Sequence, residues 1–188
     1  MKSLTTLLVN YHSSQDKVCG IRLGQYFCNK YVKAQWSELF YCEDEDKVLI
    51  GAHNIKIEMD KKIDEVKSSD FDMIVLPGGL PNAFTLAEDK DVQRLLKEFE
   101  EKNKKIGAIC AAPYALHKAG VLNQNYTCYP SFEKKIKDDG YQDDKNVVTD
   151  NNVITSRGPA TAIDFALEIV KTLKGNDIYH QIKTGLLA

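Results

Sequence analysis

The sequence predicts an α/β fold in which a mostly parallel central sheet carries helices on both faces. Three observations predict it. Short apolar runs that suit strands alternate along the chain with longer segments of helical periodicity. Two of those runs, Asp72 to Pro77 and Lys105 to Ile109, are apolar almost throughout, as strands buried on both faces must be. Each ends in small residues, Gly78-Gly79 and Cys110-Ala111-Ala112, where the chain must turn sharply.

The elements follow in order. Leu4 to Val9 reads as the first strand. Asp16 to Val32 reads as a helix, with Val18, Ile21, Leu23, Phe27 and Tyr31 near helical spacing and Ser13 and Ser14 as N-caps. Glu38 to Cys42 is a second strand, and Lys47 to Ile50 with Asn54 to Ile57 a short strand pair. The acidic run Glu43-Asp44-Glu45-Asp46 reads as an exposed turn. Ile63 to Val66 fits a short helix with acids near its start. Asp89 to Asn103 is strongly amphipathic, with Val92, Leu95, Leu96 and Phe99 on one face. A helix from Ala111 to Ala119 stops at Gly120. Asn146 to Thr149 and Asn152 to Thr155 flank an Asp-Asn-Asn turn as two strands. A helix from Pro159 to Leu173 has proline in its first turn and Gly175 past its end, and a last short helix follows.

The 188 residues carry no repeat and no Pro/Gly/Ser-rich linker, so a single domain over 1–188 is expected. Hydrophobic residues make up 43% and charged residues 28%, and the net charge of −2 is spread along the chain. That balance excludes the basic footprint of a nucleic-acid binder. No apolar run approaches the roughly 20 residues of a membrane span. At the N-terminus the run Leu7-Leu8-Val9 is too short for a signal peptide. The five cysteines, Cys19, Cys28, Cys42, Cys110 and Cys128, are odd in number and lack CxxC spacing. A disulfide framework or zinc site is therefore not expected, and the reading is a reducing cytoplasm. There is no phosphate-binding glycine loop of the usual kind, and neither a cofactor nor a metal is expected.

Chemistry concentrates at Gly107-Ala-Ile-Cys110-Ala-Ala-Pro113. A buried strand runs into a helix with one nucleophilic side chain at the junction and only small residues after it, the logic of a nucleophile elbow. The helix N-terminus and its free N–H groups are expected to lower the thiol pKa. The backbone N–H groups of Gly79 and Ala111 could form an oxyanion hole, since Gly78-Gly79 closes the neighbouring strand without side chains.

Ile74-Val-Leu-Pro-Gly-Gly79, Ala108-Ile-Cys-Ala-Ala-Pro113 and Thr155-Ser-Arg-Gly-Pro-Ala160 occur in that order and at these distances. Together they resemble the ThiJ/PfpI superfamily, in the branch of the Parkinsonism-associated deglycase and its bacterial relatives, over about residues 4 to 185. The resemblance implies a flavodoxin-like sandwich. It implies that Cys110 is the elbow cysteine, readily oxidised to sulfinate, that Gly79 and Ala111 are the backbone donors, and that Gly78, Tyr129, Arg157 and Pro159 shape the pocket. Arg157 could hold an anion or order a partner subunit. The branch carries a carboxylate on its first helix, touching the cysteine sulfur. Asp16 falls at that place in an ungapped comparison, one methylene shorter than the usual Glu, with Gln15 as the alternative. Tyr129 stands where some members have a histidine, and it cannot serve as an easily protonated base at neutral pH. None of His12, His53, His117 and His180 matches a triad partner, so a cysteine protease is not expected.

The implied activity is glyoxalase or deglycase chemistry on methylglyoxal or glycated groups, with Cys110 as nucleophile and Asp16 as proton-transfer group. The competing expectation is a redox-sensing chaperone without enzymatic activity, its Cys110 oxidised to sulfinate. The resemblance also implies a homodimer. No membrane or nucleic-acid partner is expected.

Overall fold

A computed structural model of the chain describes the backbone of residues 5–11, 35–41, 48–50 and 56–58, and residues 63–188 other than 138 with their side chains. The expected helix over 16–32, its serine caps, Asp16 and the acidic run at 43–46 lie outside the described residues.

The main sheet has six strands in the order β2-β1-β5-β6-β8-β7. These are β1 (Thr5–Tyr11), β2 (Gln35–Tyr41), β5 (Met73–Leu76), β6 (Lys105–Ile109), β7 (Val147–Asp150) and β8 (Val153–Ser156). All neighbours pair in parallel except β7 with β8, which form an antiparallel hairpin at one edge. β3 (Val48–Ile50) and β4 (Lys56–Glu58) form a separate antiparallel pair. The mostly parallel sheet expected from the sequence is therefore present, and the strand pair expected around 47–57 is a second small sheet.

β5 and β6 sit mid-sheet, which is why both read as continuous apolar runs. Their residues alternate between two cores. Ile74, Leu76, Ile106 and Ala108 pack on one face with Leu86, Val92, Leu95, Leu96, Phe99 and Leu116. Met73, Val75 and Ile109 pack on the other with Ile154, Ala162, Phe165 and Ile169. Gly107 lies beneath Phe165: a Cβ there would come within 3.1 Å of the ring and 2.8 Å of Met73 Cε.

The first face is covered by α1 (Asn82–Glu88), α2 (Lys90–Glu101) and α3 (Pro113–Ala119), and the second by α5 (Ala162–Lys174). A one-turn helix, α4 (Glu133–Ile136), and the C-terminal α6 (Asn176–Leu186) complete the described helices. Helix α2 starts where Asp89 caps it, accepting from the N–H groups of Asp91 and Val92 at 2.9 Å each. Helix α3 ends at Gly120 in the left-handed region, φ 72°. The segment expected as one helix from Pro159 is a 3₁₀ turn over Pro159–Thr161 followed by α5, which ends at Gly175. Helices α1 and α4 are not apparent in the sequence. Each is too short to display an amphipathic repeat.

Candidate functional site

Parallel strands all point the same way, so the turns after β5, β6 and β8 emerge side by side at one edge of the sheet. In such sheets, ligands bind beyond the carboxyl ends of the strands. The Pro77–Gly79, Cys110–Ala112 and Arg157–Pro159 segments meet there. The Cys110 N–H donates to the Ser156 carbonyl at 2.9 Å, tying the cysteine turn to the end of β8.

Cys110 itself has φ +64°, the left-handed region that few non-glycine residues adopt. Such a conformation persists only where the surroundings enforce it, and here they do. A Cβ on Gly78 would lie 2.5 Å from Cys110 Cβ, 2.7 Å from the Ile109 carbonyl oxygen and 3.0 Å from the Ala111 nitrogen. The β5 turn thus presses directly on the cysteine turn, and only glycine fits at Gly78. Gly79 adopts φ +99°, with open space around it.

The N–H groups of Gly79 and Ala111 both donate to the Cys110 sulfur. They stabilise a negative charge at that point and so lower the thiol pKa. Burial acts in the opposite direction and is the larger effect, so the Cys110 thiol lies above its ordinary value. This corrects the expected acidic thiol, for two physical reasons. Helix α3 begins at Pro113 with Ala112 as its N-cap, so Cys110 stands one turn short of the helix end. The half-buried thiol is also packed against both the Ile109–Ile154–Phe165 core and a third apolar cluster containing Ala111, Tyr126, Cys128 and Phe132.

Tyr129 is brought to the site by its backbone, whose N–H donates to the Cys110 carbonyl at 2.8 Å. Its ring lies over Gly158, where a Cβ would approach Cδ2 within 3.3 Å, and 47% of the residue is exposed. Tyr129 is therefore an aromatic wall at the site's rim. The guanidinium of Arg157 donates to the Asp143 carbonyl, and its backbone N–H to Asn146 at 3.2 Å. It braces the loop before β7. Pro159 opens the exposed 3₁₀ turn that follows. The loop holding both is fastened by hydroxyls: Ser156 Oγ and Thr161 Oγ1 are 2.7 Å apart, and Thr161 Oγ1 donates to the Gly158 carbonyl at 2.9 Å. Of the predicted residues, Gly78, Gly79, Cys110, Ala111 and Tyr129 converge directly. Asp16 lies outside the described residues.

Two further residues belong to this neighbourhood. The buried side chain of Asn82 donates to the carbonyls of Pro77 and Gly78, at 3.0 and 2.9 Å, and so holds the glycine turn from below. Its only sequence signal is an amide following Pro81 at the start of the short helix α1. Cys128 is fully buried, and burial with the nearby Glu133 carboxylate pushes its thiol up to about 12. In the sequence it looks like any small core residue. Among the described residues there is no cluster of His, Cys, Asp and Glu that could hold a metal ion. No described helix is long and apolar enough to cross a membrane.

Comparison with known proteins bears on the family and the fold. The chain is 41% identical over 138 residues to protein dj-1beta of Drosophila melanogaster, covering 72% of this chain and 74% of that protein. It is 38% identical over 139 residues to the glutathione-independent glyoxalase DJR-1.2 of Caenorhabditis elegans, covering 73% and 74%. The crystal structure of Drosophila melanogaster DJ-1beta superposes with a TM-score of 0.83 at 32% identity, over 100% of this chain and 99% of that one. The sequence profile of the DJ-1/PfpI family matches residues 30–172. With its strand order, its cysteine turn and these likenesses, the chain belongs to the DJ-1/PfpI family.

Proposed function

We propose that this protein is a cysteine-dependent, glutathione-independent glyoxalase that acts on methylglyoxal or related α-oxoaldehydes, protecting a reducing cytoplasm against carbonyl stress. Deglycation of adducts with the same carbonyl is the allied activity. The observation that carries the reading is the pair of N–H groups, from Gly79 and Ala111, aimed at the sulfur of a half-buried cysteine. Relatives named as glutathione-independent glyoxalases in Caenorhabditis elegans and Schizosaccharomyces pombe support it.

The chemistry follows from the site. The Cys110 sulfur attacks the aldehyde carbon, and the carbonyl oxygen becomes a hemithioacetal hydroxyl. The Gly79 and Ala111 N–H groups stabilise the negative charge during attack, where preorganised donors act most strongly. A base removes the proton from the former aldehyde carbon and returns one to the adjacent carbon, giving a hydroxyacyl thioester. Water then hydrolyses the thioester to lactate and restores the thiol. Because burial keeps the resting thiol protonated, attack requires a proton acceptor within hydrogen-bond reach. Asp16 is the residue proposed for both proton transfers. Tyr129 closes the rim, and Gly78 lets the two turns approach. The working unit is proposed to be a single domain that pairs as a homodimer.

The test is conversion of methylglyoxal to lactate by the purified chain in glutathione-free buffer, with Asp16→Ala alongside. Turnover in the wild type, reduced at least tenfold in Asp16→Ala, supports the activity and the assignment. A wild type without turnover whose Cys110 gains a sulfinate mass under mild peroxide supports the redox-sensor reading instead.

A further inference from the structure

We propose that Cys128 is a resolving thiol for Cys110: after a hydroperoxide oxidises Cys110, the two residues close an intramolecular disulfide. The inference is independent of the glyoxalase reading.

Two observations place the two thiols together, and two more describe the surroundings of Cys128. Cys110 packs against the apolar cluster in which Cys128 is buried, among Ala111, Tyr126 and Phe132. The 2.8 Å hydrogen bond from the Tyr129 N–H to the Cys110 carbonyl joins the residue after Cys128 to Cys110 itself. With standard backbone dimensions, that bond holds the two Cα atoms within about 7.6 Å at most. Disulfides usually span roughly 4.4–6.8 Å between Cα atoms, a range that falls inside this limit. The Cys128 sulfur also accepts the Glu133 N–H, a bond that favours its thiolate. Finally, Glu133 Oε2 is buried without a hydrogen-bond partner among the described residues, beside that thiol.

The steps balance. The Cys110 thiol takes one oxygen from the hydroperoxide, becoming a sulfenic acid while the hydroperoxide is reduced to its alcohol, or to water. The Cys128 sulfur attacks the sulfenic sulfur and a sulfur–sulfur bond forms. The sulfenic hydroxyl leaves as water with the Cys128 proton, and Glu133 is positioned to pass that proton on. A second oxidation of the sulfenic acid gives sulfinate, which ordinary thiols do not reverse. Cys128 therefore decides between a reversible and an irreversible end state. Its thiol is held protonated by burial, so disulfide closure wins at low peroxide and sulfinate at high peroxide.

The experiment uses the full chain, reduced, treated with one equivalent of hydrogen peroxide, quenched with N-ethylmaleimide and digested with trypsin without reductant. Residues 106–118 and 119–134 are separate tryptic peptides with one cysteine each. The expected product is these two peptides joined, lighter by two hydrogens than their sum and released by dithiothreitol. In Cys128→Ala the same dose should raise the sulfinate on 106–118 several-fold. A wild type that yields sulfinate on 106–118 with 119–134 fully alkylated overturns the proposal, as does Cys110 linked to a different cysteine. Should Cys128→Ala fail to fold, the wild-type peptide map decides alone.

Discussion

At the scale of single residues, the site depends on what is missing as much as on what is present. Gly78 carries no Cβ because one would overlap Cys110 Cβ and the Ile109 carbonyl. Gly78→Ala is expected to cost about 1–3 kcal/mol through overpacking, read as a lowered urea midpoint, and to abolish turnover by displacing the Cys110 turn. Unchanged stability and activity would show that the two turns are not in contact. The thiols make predictions of opposite sign to the usual reactive cysteine. Burial raises Cys110, so its alkylation by iodoacetamide should climb with pH and reach half-maximum above the ordinary value of about 8.5. A midpoint near neutrality would mean that charges outside the described residues dominate. Cys128 is a linkage case. An unfolded chain releases this proton near pH 8.5, whereas the folded one keeps it until about 12. The folded state then binds more protons between those values, and stability falls as pH rises through that window. Cys128→Ala should flatten this alkaline loss, measured as the urea midpoint at pH 7 and pH 10.

At the scale of elements, each turn is held by a polar group from a neighbouring element. Asn82 on α1 holds the β5 turn through two carbonyls. Asn82→Ala leaves both unpaired in a buried place and should cost about 1–3 kcal/mol, together with site activity. Asp89→Ala, which removes only the α2 cap, should cost about 1 kcal/mol and leave activity intact, so the two variants separate stability from site geometry. How legible these elements were depended on length and environment. β5 and β6 are flanked by strands on both sides and helices on both faces, so apart from Lys105 at the start of β6 their residues carry no polar side chain and the runs are plain in the sequence. Helix α2 has one wet face, and its period shows. Helices α1 and α4 are seven and four residues long, too short for any period. The cysteine turn was legible because a lone nucleophile between a buried strand and small residues is rare. The thiol's protonation was not, because the two apolar clusters that bury it, one containing Ile154 and Phe165 and the other Tyr126 and Cys128, arise from parts of the chain far apart in sequence. For the same reason nothing in the pattern joined Cys128 to Cys110.

At the scale of the whole molecule, a parallel sheet gathers distant sequence motifs at one edge, and the three glycine- or cysteine-bearing turns become one site only when β5, β6 and β8 are paired. Folding and site formation are therefore expected to be one event. Urea unfolding followed by far-ultraviolet circular dichroism and by fluorescence of Trp36, which lies on β2 at the opposite end of the strand order from β7, should give coincident transitions. Separated transitions would indicate two folding units rather than one domain. The measurement that bears most directly on the central claim is glutathione-free conversion of methylglyoxal to lactate by wild type and Cys110→Ser side by side. With the sulfur as nucleophile, the serine variant should fall by at least about a hundredfold, to background, while retaining the wild-type urea midpoint within about 1 kcal/mol. A serine variant that turns over methylglyoxal like the wild type would contradict the assignment of Cys110 as the reacting group.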